Sequence, residues 1–242
     1  MHSFFTSSRP LVFAHRGGGA LAPENTMAAF ANGLALGADG IELDVRLSRD
    51  GAVIVHHDAT VDRTTTGRGT VAALSQAELA RLDVPALADV LTAFPDARVI
   101  VELKVNEREL AAAAVDVIRR SNAVGRVCLG AFGQRVLNAA RSLEPAIATS
   151  AGREEVRWAL YRSWVRRPSY GVPYAGFQVP ESSGATRIVS KRFVDMAHRA
   201  DLGVQVWTID DEHDAKRLLS WGVDALITDR PDVIVPLVAS RV

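Results

Sequence analysis

The strongest constraint on how this chain folds is an alternation. Short apolar, β-branched runs fall at 11–15 (LVFAH), 39–45 (DGIELDV), 98–104 (RVIVELK), 126–131 (RVCLGA), 146–150 (AIATS), 175–179 (AGFQV), 204–208 (VQVWT) and 224–228 (DALIT). Helix-like patterns occupy 25–36, 85–94, 107–120, 133–142, 153–166, 191–200, 211–219 and 231–239. Near-continuous apolar strands separated by helices read as a parallel sheet covered on both faces. Eight such units in 242 residues predict an α/β protein of the (β/α)₈ TIM-barrel class. An open doubly wound sheet is the alternative architecture with the same alternation.

One unit breaks the rhythm. Between the second strand and its helix lies LSRDGAVIVHHDATVDRTTTGRGTVAALSQAELARLD, far longer than an ordinary βα loop. RDG is a turn signal, and AVIVHH reads as an extension returning toward the barrel mouth. The Thr/Gly-rich part after it reads as a small insertion, about 50–84, capping that mouth. No interdomain linker or low-complexity tract interrupts the rest, so residues 1–242 are expected to form a single barrel domain.

Composition narrows the function classes. With 28 Lys+Arg against 28 Asp+Glu, no net charge points to nucleic acid or an anionic partner. Cys128 is the one cysteine, which excludes an intrachain disulfide framework and a Cys-based zinc site. It lies in the apolar run RVCLGAF and reads as a buried structural thiol. No transmembrane stretch and no export leader is apparent, so a cytoplasmic protein with no stable membrane anchor is expected.

The informative residues are charges inside strands that ought to be core. Glu42 and Asp44 are two apart in IELDV, so on a strand they share a face; Glu102 and Lys104 do the same in VELKV. Three neighbouring carboxylates resist ionising together without compensation. A salt-bridge network through Lys104 and Arg16 is one solution. A divalent cation held by Glu42, Asp44 and Glu102 is the better one, and an all-oxygen set suits Mg²⁺ or Ca²⁺.

His15 ends the first strand, and His56 and His57 sit in VIVHHD. Strand alternation sends His56 and His57 to opposite faces, so at most one of them points into the site. Two histidines beside three carboxylates can serve as general acid and base near neutral pH. Arg16 and Lys104 add positive charge for an anionic substrate. The glycines after Arg16 allow a sharp turn and lack the G-x-G-x-x-G spacing of a dinucleotide site. With no Ser or Cys nucleophile in evidence, this set reads as phosphoryl chemistry by electrostatic stabilisation and acid/base catalysis.

The segments HRGGGALAPENTMAAF, GADGIELDVRLSRDGAVIVHHDATVDRTTTGRGTV, VELK, VQVWTID and DALITDRP resemble the glycerophosphodiester phosphodiesterase family, in order, from about residue 11 to 233. The resemblance implies a (β/α)₈ barrel with an insertion after the second strand. It implies hydrolysis of glycerophosphodiesters to glycerol 3-phosphate and an alcohol with one divalent cation. It places the catalytic histidines at His15 and His57, the latter because it precedes Asp58, the metal carboxylates at Glu42, Asp44 and Glu102, and the phosphate-binding pair at Arg16 and Lys104. The implied course is two-step: the substrate's own glycerol hydroxyl attacks phosphorus, and water opens the resulting cyclic phosphate. The chain departs from the family pattern at WTID, where Asp210 replaces an amide, and at PALAD before helix two. Those departures bear on substrate preference.

Several further residues carry weaker expectations. Trp207, ending the seventh strand, is expected to pack against glycerol or the leaving group, and Glu24 to touch the site from the start of the first helix, where Asn25 and Thr26 read as helix-capping residues. Asp229 and Pro231 read as a helix start. REEVRWALYRSWVRRPSY, with Trp158, Tyr161 and Trp164 at three-residue spacing, is expected to pack on the barrel with its arginines laid along apolar surface rather than to lie on a membrane. The substrate is expected to be a small-molecule glycerophosphodiester, with no nucleic-acid partner. A lysophospholipase-D-type enzyme acting on lysophospholipids is the runner-up. A barrel that only binds phosphodiesters is the non-enzymatic alternative.

Overall fold

The computed structural model describes residues 1–240. Its principal sheet contains eight parallel strands: β1 (Leu11–His15), β2 (Gly40–Leu47), β4 (Arg98–Leu103), β5 (Val127–Gly130), β6 (Ala148–Thr149), β7 (Gly176–Pro180), β10 (Gly203–Trp207) and β11 (Ala225–Thr228). β1 pairs with both β2 and β11, and a parallel bridge from Ser150 to Gly176 joins β6 to β7. That bridge nearly closes the ring, giving a (β/α)₈ barrel rather than an open sheet.

Helices α1 (Met27–Ala35), α3 (Leu87–Ala93), α4 (Arg108–Arg120), α5 (Gln134–Leu143), α6 (Arg153–Trp164), α7 (Lys191–His198), α8 (Glu212–Ser220) and α9 (Pro231–Ala239) surround it. Among the described residues, no helix is long and apolar enough to cross a membrane. The start of α1 shows the local logic. Thr26 is extended, its hydroxyl accepts from Ala29 N at 3.2 Å, and it satisfies an amide that the first turn leaves unpaired.

The segment after β2 begins with β3 (Val53–Val55), antiparallel to β2 with Val45 opposite Val55. It continues through the short helix α2 (Gln76–Ala80), which Ser75 and Glu78 close with a capping box. Ile54, Val61, Val71 and Leu79 form a small apolar core of its own. A second excursion, the hairpin β8 (Ser182–Ser183) and β9 (Thr186–Arg187), follows β7 and has no hydrophobic signature in the sequence.

Inside the barrel, strand alternation stacks side chains in layers. Phe4 and Phe5 plug the N-terminal end, and the Phe4 ring stacks on Phe13 at 5.8 Å. Phe13, Ile100, Cys128, Ala148 and Ile227 fill the level above. Cys128 is fully buried there, and burial raises its thiol pKa well above the ordinary range. With the lower levels closed mainly by apolar packing, and the buried Gln205 bonded to Gln178 at 2.9 Å, the charged residues are left for the C-terminal mouth.

The β1–α1 turn packs its backbone directly against α1. Gly17 has φ +89°, and a Cβ there would lie 2.6 Å from the Ala29 carbonyl carbon. Gly17→Ala is therefore expected to lower unfolding free energy by about 2–3 kcal/mol or more, combining backbone strain with a backbone clash. Gly51→Ala, at φ +80° with open space around it, should lose only about 1 kcal/mol. Urea denaturation of the two variants checks the difference.

Candidate active site

A cavity of about 600 Å³ opens at the C-terminal ends of the strands. His15, Arg16, Glu42, Asp44, His57, Glu102, Lys104 and Trp207 all line it. Register explains the convergence. His15 sits opposite Glu42 and Asp44 opposite Glu102, so period-2 alternation sends all four inward at the last turn of adjacent strands. On β5 the matching position is Gly130, where a Cβ would lie 2.7 Å from both Glu102 Oε2 and Gln178 Oε1. The glycine leaves room for that carboxylate.

Both nearby cations fall on one carboxylate. Lys104 Nζ lies 3.2 Å from Asp44 Oδ1 and Arg16 Nε 3.2 Å from Asp44 Oδ2, while Asn25 Nδ2 donates to the same Oδ2 at 3.0 Å. Burial opposes ionisation of Asp44, but Lys104 and Arg16 more than offset it and hold its pKa below the usual carboxylate value. Among the described residues neither Glu42 nor Glu102 has a Lys or Arg side chain at ion-pair distance; Glu42 Oε2 accepts from the Arg16 backbone amide at 3.2 Å. Burial, then the Asp44 charge, pushes Glu42 up to about 7. Burial pushes Glu102 up to about 8, Lys104 opposing and Glu42 and Asp44 adding to the rise. The salt-bridge solution thus satisfies one acid and leaves two.

As they stand the three carboxylates do not converge to chelating distance. Among the described residues the group that does is Asp211, His213 and Asp214. It is an exposed cluster at the start of α8, outside the cavity, where Asp211 caps the helix through the His213 and Asp214 amides.

The two site histidines are each held by a carboxylate. His15 Nδ1 is 2.8 Å from Asp229 Oδ1, with Nε2 3.8 Å from Glu42 Oε2. Burial lowers the His15 pKa, but Glu42 and then Asp229 outweigh it, and the net shift is upward. His57 Nδ1 is 2.7 Å from Asp58 Oδ1, and Arg46 grips the His57 carbonyl oxygen at 2.9 and 3.0 Å. His56 points away from the cavity and is buried, its Nε2 2.9 Å from the Thr60 carbonyl oxygen; burial lowers its pKa.

Glu24 does not line the cavity. Its carboxylate bridges Arg16 (3.0 Å) and Arg63 (2.6 Å), and Arg63 continues to Asp58 at 2.6 Å. An ion-pair chain therefore runs from Asp44 through Arg16, Glu24, Arg63 and Asp58 to His57, tying the segment after β2 to the start of α1. Trp207 lines the cavity edge-on to Phe132, with centroids 6.2 Å apart at 89°. Asp210 faces away: Oδ1 accepts from Thr228 Oγ1 at 2.9 Å and the Asp229 amide at 2.7 Å. It fixes the loop that carries Asp229 and is not among the cavity-lining residues.

Two residues read from sequence as structural, Asp229 and Asn25, and one that carried no reading, Arg63, hold the residues of the site in place. Asp229, expected as a helix start, orients His15. Asn25, expected as a cap, is buried with φ +58° and binds Asp44, while the cap itself is Thr26. Arg63 carried no signal at all, because its partners Glu24 and Asp58 meet only in space.

A barrel with acid, histidine and cation gathered at its C-terminal mouth is an enzyme scaffold. Residues 15–233 match the model of the Glycerophosphoryl diester phosphodiesterase family, and the chain belongs to that family. A glycerophosphodiester phosphodiesterase from Caldanaerobacter subterraneus subsp. tengcongensis is 30% identical, covering 95% of this chain and 98% of that one. The crystal structure of a glycerophosphoryl diester phosphodiesterase candidate from Silicibacter pomeroyi superposes with a TM-score of 0.81 at 21% identity, covering 100% of this chain and 98% of that one. A phosphodiesterase from Oleispira antarctica, solved with the product sn-glycerol-3-phosphate, superposes at 0.78 with 26% identity, covering 99% and 100%. The chain is an enzyme of the phosphoric diester hydrolase class, of the kind that hydrolyses glycerophosphodiesters.

Gly130→Ala tests the register argument. The new methyl displaces the Glu102 carboxylate and the Gln178 amide, both ends of flexible chains, so the fold survives. A shift of about 1 Å at a site like this costs on the order of 10²-fold in rate. We expect kcat/KM to fall by about that factor with only a few degrees lost in Tm.

Proposed function

We propose that the cavity hydrolyses glycerophosphodiesters to glycerol 3-phosphate and an alcohol with one divalent cation, His15 and His57 handling the protons. The observation that carries this reading is the pair of cavity-lining acids, Glu42 and Glu102, that have no Lys or Arg side chain at ion-pair distance among the described residues, beside Asp44, which has two. A hard divalent ion fits that donor set, because it supplies the charge the two acids lack and takes oxygen ligands. When bound, such an ion polarises a phosphoryl oxygen as a Lewis acid. Mg²⁺ and Ca²⁺ are both compatible with the donors.

The chain's own residues take the remaining roles. Arg16 and Lys104 offer positive charge to the phosphate, and each exchanges part of its contact with Asp44 for it. One histidine withdraws the proton from the glycerol hydroxyl as it attacks phosphorus; the other gives a proton to the departing alkoxide. The ring that forms is a cyclic phosphate, which water opens with the same two groups in exchanged roles. Asp229 and Asp58, each bonded to Nδ1, orient the imidazoles so that Nε2 is the working nitrogen.

A second reading keeps the chemistry and changes the leaving side. Opposite the charged wall the cavity is lined by Phe132, Val156, Val179, Ile188 and Trp207. That apolar wall suits an acylated glycerophosphodiester, a lysophospholipid, whose free sn-2 hydroxyl still permits cyclisation.

Metal-stripped protein given glycerophosphocholine or glycerophosphoethanolamine should release no glycerol 3-phosphate until Mg²⁺ or Ca²⁺ is restored. Full turnover in excess chelator, after confirmed metal loss, would remove the metal from the proposal. His15→Ala and His57→Ala should each lower kcat by about two orders of magnitude or more, while His56→Ala leaves it nearly unchanged. Asp229→Asn should also lose about two orders of magnitude, because the amide no longer fixes the His15 tautomer. Steady-state kinetics on the set checks all four, and a sensitive His56 would reverse the assignment of faces.

A further inference from the structure

The outer face of α6 is out of keeping with a helix that merely covers a barrel. Ala159, Leu160 and Ser163 face inward and are buried. Trp158, Tyr161 and Trp164 turn outward at 66%, 46% and 51% exposure, and Val165 and Tyr170 beyond them are also exposed. The rings form an edge-to-face ladder, Trp158 to Tyr161 at 6.2 Å and Tyr161 to Trp164 at 5.1 Å. The arginines do not lie along this apolar surface as the sequence led us to expect. Arg162 donates to the Pro168 carbonyl oxygen, and Arg157 pairs with Glu154. The aromatic stripe is left open.

Two residues past Trp164 the charge changes character. Arg166, Lys191, Arg192 and Arg199 surround a cavity of about 320 Å³ between the end of α6 and α7, with Asp195 as its one acid. Asp195 is bound by Lys191 at 2.8 Å. Among the described residues, Arg166, Arg192 and Arg199 have no carboxylate partner. This concentration of uncompensated cations stands on a chain whose formal net charge is zero.

We propose that α6 and the adjoining cationic cavity form a peripheral docking surface for an anionic lipid bilayer. Tryptophan and tyrosine, apolar with one polar edge, suit the headgroup boundary. The flanking arginines complement its negative surface, and a phosphate-bearing headgroup fits the arginine-lined cavity. A second copy of the chain fits worse, since a twofold contact would set this cationic face against itself. The placement also bears on access. α6 begins at the active-site cavity, where Arg153 stacks over Phe132 at 5.3 Å and Val156 lines the wall, so a bilayer against α6 lies beside the mouth. The docking does not depend on the catalytic reading.

Flotation of the full-length protein with vesicles tests it, read as binding rather than turnover. We expect capture by phosphatidylglycerol/phosphatidylcholine vesicles at 0.1 M salt, and little by phosphatidylcholine alone. Arg166→Glu/Arg192→Glu should weaken capture by about twentyfold or more, at roughly fivefold for each of the two cations lost, with the added carboxylates repelled further. Trp158→Ser/Trp164→Ser should weaken it by about tenfold, given the apolar area withdrawn. All four positions are exposed, and unchanged thermal melting shows that the variants remain folded. No capture by anionic vesicles, capture equal on neutral ones, or capture unaffected by both double variants would overturn the proposal. So would sedimentation equilibrium showing a dimer that Trp158→Ser/Trp164→Ser dissociates, which would make the stripe a contact between copies.

Discussion

Asp44 is 2% exposed and ionised, and a carboxylate in such a place requires cations beside it. It takes two, Lys104 from the end of β4 and Arg16 from the turn after β1. That arrangement fixes much of the mouth. Arg16, at φ +50°, is held on its other side by Glu24, and through Glu24 and Arg63 the same electrostatic chain reaches Asp58 and His57. By drawing both cations to itself, Asp44 also leaves Glu42 and Glu102 without a Lys or Arg side chain at ion-pair distance among the described residues. The site is poised because its charge balance is incomplete at two of three acids.

The barrel beneath sustains that imbalance. Phe4, Phe5 and Phe13 close the lower levels with apolar packing, which offers the acids no charge partner from that side. The small residue at Gly130 leaves the space that Glu102 occupies. The same strand register that buries Val101 and Leu103 against the helices turns Glu102 inward. Core and site are two faces of one alternation.

The mouth has two chemically distinct sides. The charged side is built from β1, β2, β4 and the segment after β2; the apolar side from the ends of β5, β7 and β10 and the first turn of α6. A phosphodiester with a polar glycerol and a less polar substituent matches that division. α6 belongs to both the apolar wall and the exposed aromatic stripe, linking the cavity to the outer surface of the molecule.

By itself the sequence determined the alternating α/β pattern and the acids. Eight apolar runs separated by helical stretches dictate the parallel sheet, and a period of two makes Glu42, Asp44 and Glu102 legible as inward-facing charges before any coordinates exist. His15 and Lys104 follow from the same periodicity, because strand geometry is local. The tertiary structure alone decided which groups meet across the chain. Asp229 lies 214 residues from His15, and Arg63 lies 39 from Glu24, distances over which no local pattern carries information. It decided that both cations serve Asp44, that Glu24 and Asp210 hold loops rather than line the cavity, and that Phe4 and Phe5 plug the barrel. It also decided the fate of α6's aromatics. Three-residue spacing puts them on one face, but only packing against the neighbouring helices determines whether that face looks inward or out.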